Sequence, residues 1–125
     1  KLFAKTGEKI TVEQSFWCDY GYNISVGENF YMNHNCIILD GAKVEFGDNV
    51  FVEPNCGFYT AGHPLDYETR NKGLEYAKPI KVGNNVWIGG NVQNVIMKNL
   101  KEINFKLLEE ILQKYLMCKI KNSLL

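Results

Sequence analysis

One histidine sits where it could move a proton. His63 lies in the run Gly62-His63-Pro64, and a proline restricts the backbone of the residue before it. An imidazole titrates near neutral pH, so it can take a proton from a hydroxyl whose oxygen attacks a carbonyl carbon. On residue type alone, a solvated loop histidine is an equal reading. Other residues could hold a polar small molecule. Asp19, Asp40 and Glu75 can accept hydroxyl hydrogen bonds, Tyr31 offers a ring face or a hydroxyl, and Asn33 offers an amide. Trp87 presents a flat indole, and Gly90 would let a backbone pass close to a ligand. Each also has a plainer role. Asp40 could satisfy its own turn, Glu75 could be a solvated charge, and Tyr31 an exposed strand residue. Asn33 could be a corner asparagine in the left-handed region, and Trp87 a contact between subunits. His34 is the only other histidine, too few for a three-histidine zinc site. Cys18, Cys36 and Cys56 form no C-x-x-C pair, so they read as small buried hydrophobes rather than ligands. No Ser-His-Asp set or phosphate-binding glycine loop stands out.

The elements that must position these residues come from a repeat. Ile24-Ser-Val26-Gly27-Glu-Asn-Phe30 returns as Val44-Glu-Phe46-Gly47-Asp-Asn-Val50 and as Ile80-Lys-Val82-Gly83-Asn-Asn-Val86. A fixed period dictates architecture and is read before local structure. A step of six, with one aliphatic and one glycine per step, suits a coil of about eighteen residues with three short flat faces. Val26, Phe46, Val82 and Ile88 should point inward, with Gly or Asn at corners that need positive φ. Gly27 and Gly47 are 20 residues apart, one turn plus two residues placed within Leu39–Ala42. Gly47 and Gly83 are 36 apart, one turn plus a loop over 62–79. Cys18, Cys36 and Cys56 should then stack on adjacent rungs.

The chain has 125 residues and a formal net charge of zero, with no basic excess to suggest nucleic acid and no apolar run of membrane-spanning length. No secretory leader is apparent, and a soluble cytoplasmic protein is the expectation. The first residue is Lys, which reads as a fragment or processed form. All 11 glycines lie at or before Gly90. Beyond them Leu100, Ile103, Leu107, Ile111 and Tyr115 recur at helical spacing. The division is therefore a coil domain over 1–92 and a basic helical tail over 93–125, with the helix itself at about 97–121.

Together, Cys18-Asp-Tyr-Gly-Tyr-Asn-Ile24, Gly27-Glu-Asn-Phe-Tyr-Met-Asn33, Ile38-Leu-Asp40, Gly47-Asp-Asn-Val50, Tyr59-Thr-Ala-Gly-His-Pro-Leu65, Arg70-Asn-Lys-Gly-Leu-Glu75 and Lys78-Pro-Ile-Lys-Val-Gly-Asn-Asn-Val-Trp-Ile-Gly-Gly90 resemble the hexapeptide-repeat O-acetyltransferases of the maltose and galactoside group. The resemblance covers about residues 2–92. It implies an all-β fold, a left-handed parallel β-helix of three to four coils. It also implies a homotrimer with sites between subunits, and acetyl transfer from acetyl-CoA to a sugar or similar small hydroxyl acceptor. His63 matches the family's general base. Asp19, Tyr31, Asn33, Asp40 and Glu75 match acceptor positions; Asn33, Trp87 and Gly90 match positions along the coenzyme. No metal, nucleic acid or membrane is implied. Family members carry further coils after the Gly-Gly, and residues 93–125 do not resemble them. The alternative is therefore a catalytically impaired trimeric scaffold, its last coil covered by the helix.

Overall fold

The computed structural model describes residues 2–95, with side chains through Gln93. Its elements are short. The strands are β1 (Ile10–Val12), β2 (Phe16–Cys18), β3 (Ile24–Val26), β4 (Phe30–Met32), β5 (Cys36–Leu39), β6 (Val44–Phe46), β7 (Val50–Val52), β8 (Gly57–Tyr59) and β9 (Ala61–Gly62). A single-turn helix α1 (Tyr67–Arg70) follows, then β10 (Tyr76–Ala77), β11 (Ile80–Val82), β12 (Val86–Ile88) and β13 (Gln93–Val95). Leaving aside the β9–β10 pair, every third strand returns to the same sheet and pairs in parallel. Sheet I is β3-β6-β11, sheet II is β1-β4-β7-β12, and sheet III is β2-β5-β8-β13. The chain is a three-faced parallel β-helix. The helix expected at about 97–121 lies outside the described residues. Parallel pairing continues through Gln93↔Gly57 and Val95↔Tyr59, past the boundary drawn at residue 92.

Alternation builds the core. In β3, β4, β6, β7 and β11 the first and third residues are buried and the middle one faces out. Val26, Phe46, Val82 and Ile88 are each no more than 4% exposed, as expected of inward positions. Phe46 bridges the interior, its ring centroid 5.1 Å from that of Phe30 and 5.0 Å from that of Phe58. Phe3 caps the first coil, edge-on to Phe16 at 5.7 Å.

The register settles what the spacing left open. Partners are 20 residues apart in the first coils, as in Ile10↔Phe30, Phe16↔Cys36 and Ile24↔Val44. Across the long loop they are 36 apart, as in Val44↔Ile80 and Val50↔Val86. The loop is itself organised: β9 and β10 pair antiparallel at its root. Ile37 pairs with Gly57, so Cys36 and Cys56 stack. They share a hydrogen bond that pulls the Cys36 thiol down and pushes the Cys56 thiol up. Cys18 does not join them. It pairs with Ile38, because each coil here holds 20 residues rather than the 18 that separate Cys18 from Cys36.

The corners also correct an assignment. Every described non-glycine residue with positive φ is an asparagine: Asn29, Asn35, Asn49, Asn55, Asn85 and Asn91. Gly27, Gly47 and Gly83 are not in that region. They are needed because corners of adjacent coils touch. A Cβ on Gly27 would lie 2.5 Å from the Gly47 carbonyl oxygen, and one on Gly47 would lie 2.8 Å from that of Gly83. Beside this column the asparagine amides form a ladder, Asn29 Nδ2 donating to Asn49 at 3.0 Å and Asn49 Nδ2 to Asn85 at 3.1 Å.

Candidate active site

The strands of sheet III run from one corner to another, and the candidate residues divide between them. At the end of the strands, where the chain turns to sheet I, lie Asp19, Asp40 and the loop carrying His63 and Glu75. Thr60 anchors that loop. Fully buried, it donates from Oγ1 to the Leu39 carbonyl at 2.6 Å and accepts from the Lys78 N–H at 2.8 Å. Farther out, Arg70 Nη1 donates to the carbonyls of Pro64 and Leu65 at 3.1 and 3.0 Å. Asp66 caps α1 by accepting the Thr69 N–H at 2.7 Å, which holds its carboxyl below the usual range.

Within this frame His63 Nδ1 faces the Leu74 carbonyl at 3.3 Å. A carbonyl can only accept, so Nδ1 carries the proton of the neutral ring and Nε2 carries the lone pair. Glu75 Oε1 lies 3.8 Å from Nε2. That position suits a carboxylate steadying an imidazolium after Nε2 has taken a proton. The ring is 53% exposed and open to a substrate.

Asp19 is exposed on the adjacent turn. Asp40 is not available as expected. Its side chain is fully buried, and its carboxylate accepts the N–H groups of Tyr20, Gly21 and Asn23 at 2.9, 2.8 and 3.3 Å. A buried carboxylate engaged by three backbone donors supports the turn that carries Asp19 rather than meeting an acceptor. It satisfies the turn of the preceding coil, not its own.

The second group lies where the strands of sheet III begin and on the outer face of sheet II. Asn33 has ordinary backbone φ, unlike the corner asparagines. Its Oδ1 accepts the His34 N–H at 2.8 Å, which leaves the amide N–H groups free to donate. Tyr31, Phe51 and Trp87 form one outward column. The Trp87 indole is 61% exposed and donates from Nε1 to Glu53 Oε1 at 3.1 Å. Gly90 passes close to the Pro54 carbonyl; a Cβ there would stand 3.3 Å from it. Glu53 was not among the expected residues. The register signals it: Asn33 plus 20 is Glu53, and Glu53 plus 36 is Gly89, so Glu53 shares Asn33's corner position.

Among the described residues, no hydrogen bond joins the two groups. The seven residues from Asn33 to Asp40 span roughly 20 Å of extended chain. The base and the free amide therefore stand at different corners of one chain.

The fold and repeat belong to the class of hexapeptide-repeat β-helices, and the comparisons narrow this. No family model matches the chain. Galactoside O-acetyltransferase of Escherichia coli is 46% identical over 92 residues, covering 74% of this chain and 45% of that protein. Nodulation protein L of Rhizobium meliloti is 48% identical over 86 residues, covering 69% of this chain and 47% of that one. Among solved structures, a maltose O-acetyltransferase from Clostridium difficile superposes with a TM-score of 0.72 at 58% identity, covering 74% and 49% of the two chains. A galactoside acetyltransferase in complex with coenzyme A gives 0.71 at 46%, covering 73% and 46%. The chain is a relative of the galactoside and maltose O-acetyltransferases of the hexapeptide-repeat family. It spans about half the length of the relatives it matches.

Proposed function

We propose that this chain works as an acetyl-CoA-dependent O-acetyltransferase on a sugar hydroxyl of the maltose or galactoside kind, with His63 as general base. The observation that carries this reading is the tautomer: the Leu74 carbonyl takes the Nδ1 proton and leaves Nε2 as a base on an open loop. Acetyl-CoA supplies an activated acetyl group. Nε2 takes the hydroxyl proton as the acceptor oxygen attacks the acetyl carbonyl, and returns it to the departing thiolate. Glu75 steadies the charged ring. The free Asn33 amide donates to the carbonyl oxygen as negative charge develops there. Asp19, Tyr31 and Asn33 line the acceptor side, and Asn33, Trp87 and Gly90 line the coenzyme side.

The β-helix in this reading is left-handed and assembles as a homotrimer. The separation of the two groups supports it, because a head-to-tail ring brings one copy's sheet III end against the next copy's sheet II face. Unpaired cysteines fit a cytoplasmic setting. The test is release of coenzyme A thiol from acetyl-CoA with maltose or a thiogalactoside as acceptor. Acceptor-dependent release that His63→Ala abolishes is the expected result. Absence of release at any acceptor concentration, from a folded trimer, would leave the scaffold alternative.

A further inference from the structure

Glu53 stands where the coenzyme-side residues meet, and no role has yet been assigned to it. Its backbone N–H donates to the Ile88 carbonyl at 2.9 Å, as the Asn33 N–H donates to that of Val52 at 2.9 Å, so the two occupy equivalent corner positions one coil apart. Pro54 follows it and holds its backbone extended. Its carboxylate takes the Trp87 indole N–H at 3.1 Å, and its Cβ lies beside Gly90. Because Trp87 is 61% exposed, packing does not hold the ring, and its hydrogen bond to Glu53 is what orients it. A free indole would lose rotamer freedom on ligand binding, and a tethered one has already lost it.

We propose that Glu53 is a positioning residue that presents the face of Trp87 to the uncharged pantetheine arm of the acetyl donor. A carboxylate at this point repels phosphate, so the neutral part of the coenzyme, not its phosphates, passes here. The inference rests on the acetyl-CoA reading above.

The test uses the full chain with Trp17→Phe, which leaves Trp87 as the single tryptophan. Glu53→Leu should raise the Kd and KM for acetyl-CoA about tenfold, the scale of one lost hydrogen bond to a charged group. Acceptor KM should not change, and kcat should stay within about twofold. Glu53→Gln, whose amide oxygen accepts the same N–H, should restore the parental values. The indole N–H resonance of Trp87 should shift in Glu53→Leu without any ligand and should be kept in Glu53→Gln. In a Trp87→Phe background, Glu53→Leu should have no further effect on Kd, as coupled residues require. Parental affinity in Glu53→Leu, or effects that add with Trp87→Phe, would overturn this inference alone. A parent that binds no acetyl-CoA would overturn it together with the proposed function. If Glu53→Leu does not fold, Glu53→Ala serves in the same measurements.

Discussion

Asp40 and Gly21 are joined by a 2.8 Å hydrogen bond from the Gly21 N–H to a fully buried carboxylate oxygen. Gly21 has φ of +81°, so the turn it bends is one that a side-chain-bearing residue would strain. The Asp40 carboxylate holds that turn together, and with it the exposed Asp19.

Replacing Asp40 with Ala should therefore act on stability. Three buried or half-buried N–H groups would lose their acceptor, at a cost of about 2–4 kcal/mol. Urea denaturation measures it. Unchanged stability with a raised acceptor KM would instead give Asp40 the acceptor role that its resemblance implied.

The glycine column gives a graded prediction. Gly47→Ala should cost about 1–3 kcal/mol, because its Cβ would collide with the Gly83 backbone. Gly83→Ala should fall within about 0.5 kcal/mol of the parent, since nothing lies within 4 Å of its Cβ. Equal losses at the two sites would mean that a backbone angle, not corner contact, demands glycine.

Val82→Asp should unfold the domain. The site is 3% exposed, and an unpaired carboxylate there costs more than a small domain's whole stability margin allows. Circular dichroism and the melting temperature check it; an unaltered melting curve would contradict the inward assignment.

His63→Ala should lower kcat by about 10²–10⁴-fold with the fold intact. Co-expressing His63→Ala with Asn33→Ala chains should recover activity from two inactive parents, up to about a quarter of the parental sites under random mixing in a ring. No recovery in verified mixed oligomers would place the whole site within one chain.

Much of this architecture is legible in the residues. The step of six separates inward Val26, Phe46, Val82 and Ile88 from outward Tyr31 and Trp87, because strand alternation is a local property of the chain. The break at 62–79 and the Gly62-His63-Pro64 turn are legible for the same reason. The asparagine and glycine corners are visible too, yet their reasons were exchanged. The left-handed region falls to Asn29, Asn49 and Asn85, and the glycines answer to a neighbouring coil that no local pattern describes.

What only the tertiary structure decided is which residues meet. Cys36 stacks on Cys56 while Cys18 lies over Ile38, Asp40 reaches a turn 19 residues earlier, and Trp87 reaches Glu53 across 34 residues. Periodicity says which way a side chain faces. The number of residues that each corner adds to a coil sets what stacks above and below it. Those corner residues follow no period, so the partners become known only when the coils are laid on one another.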